Sequence, residues 1–287
     1  MQRWILGARP RTLPAAVVPV AVGTAVATGS GVIWWRALLA LVVALALQVG
    51  TNYSNDLADG VRGTDGPDRT GPRRLVGSGL ATPAEVKVAT IAAFAVAAVA
   101  GLVLAIVVTP WLLLVGIASI AAGWLYTGGP RPYGYMGLGE VFVFVFFGLV
   151  ATVGSSYVHT REITGLAVLA GSAVGLLACA LLVVNNLRDI PTDRTAGKRT
   201  LAVRMGERPT RILYVVLVDA GLVLGSLCAL ERPLSLLVMG AGLAAGPAIR
   251  AVLRGAAGVD LIPVLGRTAR TQVVAGTLLT LGLALPI

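Results

Sequence analysis

Apolar residues in this chain come in runs too long for the interior of a water-soluble domain. A helix that crosses the ~30 Å hydrocarbon layer of a membrane needs about 20 mostly apolar residues. The 287-residue chain supplies that length again and again between short polar breaks. Only 13% of its residues are charged and 56% are apolar, against about a quarter charged in a soluble domain. These runs predict an all-α integral membrane protein with nine transmembrane helices in one bundle, a single domain over 1–287. The approximate limits are 13–29, 36–55, 84–108, 111–127, 137–158, 163–188, 209–230, 233–253 and 270–286. Arg3, Arg9 and Arg11 ahead of the first run imitate a signal peptide, but Pro10, Pro14 and Pro19 punctuate it and many spans follow. It reads as a retained first helix.

A net charge of +10 suggests nucleic acid at first sight. The basic residues, however, sit in short loops between spans rather than in one stripe, so no nucleic-acid partner is expected. With the N-terminus inside, 20 of the 23 Lys and Arg fall on the inner side, and only Arg36, Arg161 and Arg232 fall outside. That is the positive-inside pattern of a multi-pass protein of the cell membrane, its C-terminus outside. Cys179 and Cys228 lie in apolar runs as packing residues, without a Cys or His partner at metal spacing. His159 is expected at the surface at headgroup level. Trp34, Trp35 and Trp111 fit an interfacial aromatic belt.

Two inner loops concentrate the acids. The first follows Asn52-Tyr-Ser-Asn55-Asp56-Leu-Ala-Asp59 and continues to Asp65 and Asp68; the second reads Asn185-Asn186-Leu-Arg188-Asp189-Ile-Pro-Thr-Asp193. Residues three or four apart share a helix face, so Asn52, Asp56 and Asp59 align if the second helix outlasts its apolar run. Asn185, Asp189 and Asp193 align in the same way unless Pro191 breaks the last turn. The matched placement, four helices apart, suggests a tandem four-helix pseudo-repeat.

Ionisable groups at membrane depth are costly and mark function, and converging carboxylates repel unless a cation sits between them. Oxygen-only ligands select a hard ion such as Mg²⁺, which binds one or two carboxylates plus phosphate oxygens. Arg62, Arg69, Arg73, Arg74, Arg188, Arg194, Lys198 and Arg199 surround the acids, and such side chains grip phosphate. Acids and bases at the mouth of an apolar bundle fit an amphiphilic diphosphate. No GxxxxGK[ST] string supports a nucleotide triphosphate. For single residues the plainer alternative is a solvated loop of salt bridges.

These motifs resemble those of the UbiA superfamily of intramembrane prenyltransferases. NDLADGVRGTD with Asp68-Arg69, Gly71-Pro72 and Arg74 is similar to the first motif of its menaquinone branch, and NNLRDIPTDRTAGKRTLAVRMG to the second. Arg9-Pro-Arg11-Thr-Leu, the loop from Leu125 to Tyr135, and Gly139-Glu140 add to the likeness, which runs from about residue 7 to 206.

The resemblance implies nine transmembrane helices and a Mg²⁺-dependent aromatic polyprenyltransferase. Its donor is a polyprenyl diphosphate and its acceptor 1,4-dihydroxy-2-naphthoate, which loses CO₂ as demethylmenaquinol forms. It makes Asp56, Asp59, Asp189 and Asp193 the expected Mg²⁺ ligands and catalytic carboxylates, with Asp65 a further member. Asn52, Asn55, Asn185 and Asn186 would orient ligands or diphosphate oxygens. Arg69, Arg74, Arg131, Lys198 and Arg199 are candidates for diphosphate contact. Tyr126, Tyr133 or Trp124 could offer a π face to an allylic cation. Arg9, Arg11 or Arg131 could pair with the acceptor carboxylate. Glu140 either positions acceptor or metal or simply complements its helix dipole. Two rivals stay open: a related prenyltransferase with another acceptor (hydroxybenzoate, homogentisate, a glycerophosphate or a sugar), and a secondary transporter.

Overall fold

The computed structural model describes residues 2–63 and 74–285, and the described residues are helical with short connections. A short helix α1 (Gln2–Ala8) turns at Pro10–Thr12 into α2 (Pro14–Val26). There follow α3 (Trp34–Arg62), α4 (Pro83–Val107), α5 (Trp111–Leu125), α6 (Gly139–Thr160) and α7 (Gly165–Thr195). The small α8 (Leu201–Met205) leads to α9 (Glu207–Leu230), then α10 (Pro233–Leu253) and α11 (Leu261–Ala284).

Six of the described helices are long and apolar enough to cross a membrane, or seven if the α1–α2 pair, bent by 53°, is one span. Helix α5 has 15 residues, short of a full crossing. Helix α11 carries Arg267 and Arg270 within it and is not among the six. The bend lies at the break between Thr12 and Pro14, and shortly before it Arg9 adopts a left-handed φ of 53°. Helix α4 opens on a capping box in which Thr82 accepts from the Glu85 amide and Glu85 from the Thr82 amide.

Helix α7 is the axis of the bundle. Two-thirds of its apolar window is buried, and it packs against α2, α6, α9 and α11. Its close neighbour is α6, which contains a π-helical turn over Phe144–Val150. There the two backbones nearly touch: a Cβ on Gly148 would lie 2.5 Å from Gly175 Cα and 2.8 Å from the Gly171 carbonyl. Small residues permit such an approach in lipid, where packing rather than water drives association. Gly148→Leu is therefore expected to cost about 3 kcal/mol, the upper range for overpacking, measured as a loss of folded protein in SDS titration.

The two ends of the bundle differ in chemistry. At one end Arg36 donates to the Val158 carbonyl at 2.8 Å and Arg161 to the Val107 carbonyl at 2.9 Å, while Arg232 lies against Gly29. Trp34, Trp35 and Trp111 are exposed there. His159 is at this end too, but buried rather than at the surface. Its Nδ1 accepts the Ile33 amide, so the ring closes the turn between two helices. The other end holds both acidic motifs.

Candidate active site

Both acid-bearing helices outlast their apolar runs. Helix α3 continues to Arg62 and ends on Gly63, whose φ of 69° suits the left-handed cap. Helix α7 runs through Pro191 to Thr195. Asn52, Asp56 and Asp59 thus share one helical face, and Asn185, Asp189 and Asp193 share another.

The motifs meet through Lys198 and Tyr135. Lys198, which follows α7, donates to Asp59 Oδ1 at 3.1 Å, and the Tyr135 hydroxyl donates to the same oxygen at 2.6 Å. Arg74 reaches Asp59 Oδ2 at 3.5 Å. The Tyr135 carbonyl accepts the Arg199 amide at 3.0 Å, which ties this loop to the second motif. Lys198 and Arg62 lie over the Tyr135 ring at 4.7 and 5.4 Å from its centroid. Arg62 also donates to the Thr127 and Gly129 carbonyls.

Burial penalises the Lys198 ammonium, but Asp59, with help from Tyr135 and Asp193, more than offsets it and holds its pKa above the ordinary value. Tyr135 is pushed up by burial and by Asp59, so its phenol stays a donor.

Asp56 has a different task. Its Oδ2 accepts the Leu75 amide at 2.8 Å and its Oδ1 the Val76 amide at 2.9 Å, so it anchors the chain that leads into α4. Asp189 is gripped in a fork by Arg188, with both contacts at 2.7 Å, and Asn185 accepts from the same guanidinium at 2.9 Å. Asp193 is half-buried and acts electrostatically on Lys198.

The asparagines divide. Asn52 donates to the Ala8 carbonyl and Thr12 hydroxyl and so holds the N-terminal segment, joined there by Gln48. Asn55 accepts from Thr127 at 2.7 Å. Asn186 donates to Glu140 Oε1 at 3.0 Å. Arg11, Arg131 and Arg199 have exposed side chains, and Arg9 is half-buried. Asp65, Asp68, Arg69 and Arg73 lie outside the described residues.

An aromatic column leads from this rim into the bundle. Tyr126 and Tyr133 meet edge to face at 5.4 Å, Tyr133 stacks on Phe142 at 3.8 Å, and Phe146 follows at 6.0 Å. Tyr135 was absent from the residues picked out by sequence. The signal available was its place in the Leu125–Tyr135 loop that carries part of the resemblance.

Among the described residues no three His, Cys, Asp or Glu side chains already converge as a metal cluster. What exists is two sets of carboxylates, Asp59 on one helix and Asp189 with Asp193 on the other, with Arg74, Lys198 and Arg188 balancing their charges. That set fits a hard divalent ion completed by phosphate oxygens.

Residues 16–261 match the UbiA prenyltransferase family. A 1,4-dihydroxy-2-naphthoate octaprenyltransferase of Mycobacterium tuberculosis is 50% identical over 277 residues, 95% of this chain and 93% of that one. The protein of the same description in Escherichia coli is 39% identical over 300 residues, 99% of this chain and 96% of that one. Among solved structures, a UbiA homolog from Aeropyrum pernix K1 in its apo form superposes with a TM-score of 0.73 at 15% identity, over 92% of this chain and 96% of that chain. A UbiA homolog from Archaeoglobus fulgidus bound to GPP and Mg²⁺ gives 0.65 at 15% identity, over 96% and 99%. The fold is UbiA-like, and the chain belongs to the UbiA prenyltransferase family.

Proposed function

We infer that this protein transfers a polyprenyl chain from polyprenyl diphosphate to 1,4-dihydroxy-2-naphthoate, releasing diphosphate and CO₂ and giving demethylmenaquinol. One observation supports the chemistry: Lys198 of the second motif grips Asp59 of the first, so the two motifs meet at the same end of the bundle. The naphthoate acceptor is the reading supported by relatives up to 50% identical over nearly the whole chain.

Asp59, Asp189 and Asp193 are proposed to hold Mg²⁺, with Asp65 a further ligand and Asp56 taking part through water. The ion, when bound, would neutralise charge on the departing diphosphate. Arg74 and Lys198 are proposed to exchange their carboxylate contacts for phosphate oxygens, with Arg69, Arg131 and Arg199 as further candidates. Asn185 orients Asp189 through Arg188. The column Tyr126–Tyr133–Phe142 lines the path of the prenyl chain and offers π faces to the allylic cation, while the apolar bundle excludes water. Arg9 and Arg11, on the turn before α2, are the proposed partners of the acceptor carboxylate.

With α5 and α11 counted as crossings, the single domain has nine spans in two related four-helix units plus a ninth. Its N-terminus and both motifs then face the cytoplasm across the cell membrane.

The test is turnover. Purified protein in detergent, given labelled polyprenyl diphosphate, Mg²⁺ and 1,4-dihydroxy-2-naphthoate, is expected to release CO₂ and form a lipid-soluble product. Product with hydroxybenzoate or homogentisate alone would move the acceptor elsewhere in the family. Substrate flux in liposomes without any prenylation would favour a transporter.

A further inference from the structure

Glu140 is an isolated charge sealed into the start of α6. It is only 8% exposed, and its Oε1 accepts from Asn186 at 3.0 Å. The carboxylate lies near its own backbone N–H, yet Oε2 is buried with no hydrogen-bond partner among the described residues. A buried carboxylate oxygen left unsatisfied is expensive, and such atoms in native proteins need an explanation. The helix dipole accounts for a charge at this helix end, but not for burying it beside an Asn that fixes one oxygen and leaves the other bare.

Its surroundings join the second motif to the aromatic column. Asn186 adjoins Asn185, which shares the Arg188 clamp with Asp189. The Tyr126 phenol is within electrostatic reach of Glu140, and a methyl group at Gly139 would sit 3.5 Å from its hydroxyl. Tyr126 also heads the aromatic column. An oxygen acceptor thus lies where the head of the column, which lines the prenyl path, meets the second motif.

We propose that Glu140 Oε2 accepts the hydrogen bond of the acceptor's ring hydroxyl next to its carboxylate, and takes that proton as the ring attacks. This rests on the prenyl-transfer reading above and adds the acceptor-side base. The electron balance closes without another reactant. The allylic C–O bond breaks and its electron pair leaves with diphosphate. The ring carbon that bears the carboxylate forms the C–C bond, the adjacent hydroxyl becomes a ketone, and its proton passes to Glu140. The product is a β-keto acid, so the C–COO⁻ bond breaks next. CO₂ leaves, its electron pair makes the enolate, and Glu140 returns the proton to give the hydroquinol.

Glu140→Gln keeps the shape and removes the base. Its kcat/KM for 1,4-dihydroxy-2-naphthoate is expected to fall about 10²–10⁴-fold, the range for losing a general base, with KM for the polyprenyl diphosphate unchanged. Glu140→Asp, which keeps the charge on a shorter arm, should recover part of that loss. A fall of less than threefold in Glu140→Gln, or a rise of tenfold or more in KM for the polyprenyl diphosphate, overturns the proposal.

A measurement on the unaltered protein stands apart from folding of the variants. As competitive inhibitors, the methyl ether at the hydroxyl next to the carboxylate should bind at least about tenfold more weakly than the ether at the far hydroxyl, because it cannot donate and leaves Oε2 unpaired. Equal inhibition by the two ethers also overturns it. If the protein turns over a different hydroxylated acceptor instead, the naphthoate reading fails, and the same variants assayed with that acceptor still decide the role of Glu140.

Discussion

Asp59→Ala is expected to lower kcat by about 10³-fold, the scale of removing one electrostatic element from a preorganised site, and to weaken the fold as well. Asp59 is the point at which Tyr135, Lys198 and Arg74 converge, and its side chain is only 4% exposed. Taking it away leaves the Lys198 ammonium, itself 14% exposed, without its direct partner. Removing one member of a buried pair costs about 3–5 kcal/mol because the remaining charge is uncompensated. Tyr135→Phe is the informative contrast. It removes one hydrogen bond to a charged group, worth about 1.5–3 kcal/mol, and leaves both ion pairs in place. Turnover and SDS or thermal unfolding of the two variants separate the roles. If Asp59→Ala stays within tenfold of the parent protein, the two motifs do not act as one site.

Much of this site was legible from spacing alone. Asn52, Asp56 and Asp59 at helical intervals, and Asn185, Asp189 and Asp193 likewise, fixed which groups share a face once the helices continued. What hydropathy missed is where the helices stop. Runs ending near 55 and 188 belong to helices that reach Arg62 and Thr195, because backbone hydrogen bonding carries on through polar residues while apolar composition does not. The overrun falls on the polar site residues for that reason. The run beginning at 270 likewise belongs to a helix that starts at Leu261, with Arg267 and Arg270 inside it.

Contacts between distant segments left no periodic trace. The amides held by Asp56 come from about twenty residues downstream, so a residue read as a metal ligand is engaged as a loop anchor. The partner of Glu140 lies 46 residues away on another helix. Among the tyrosines of the loop after α5, nothing in the order of residues says that Tyr135 is the one whose hydroxyl reaches Asp59.

Chelation of divalent metal is expected to abolish turnover while leaving the folded protein almost untouched. The reason lies in how the carboxylates are already balanced. Asp189 has the Arg188 fork at 2.7 Å, Asp59 has Lys198 at 3.1 Å and Arg74 at 3.5 Å, and Asp56 accepts two backbone amides. None of these three needs an ion to offset its charge, so the thermal midpoint with EDTA should stay within about 2 °C of that with Mg²⁺, a shift worth under about 1 kcal/mol. Mg²⁺ alone should likewise move the midpoint little, since it must compete with resident cations. Mg²⁺ together with polyprenyl diphosphate supplies both the ion and an anion for the released Lys198 and Arg74, and the midpoint should then rise as ligand binding to the native state demands. A collapse of more than about 10 °C on chelation would mean that these acids depend on metal for their neutralisation and that the ion pairs are not the resting arrangement. Full turnover in EDTA, restored by nothing because nothing was lost, would remove the metal from the reaction altogether.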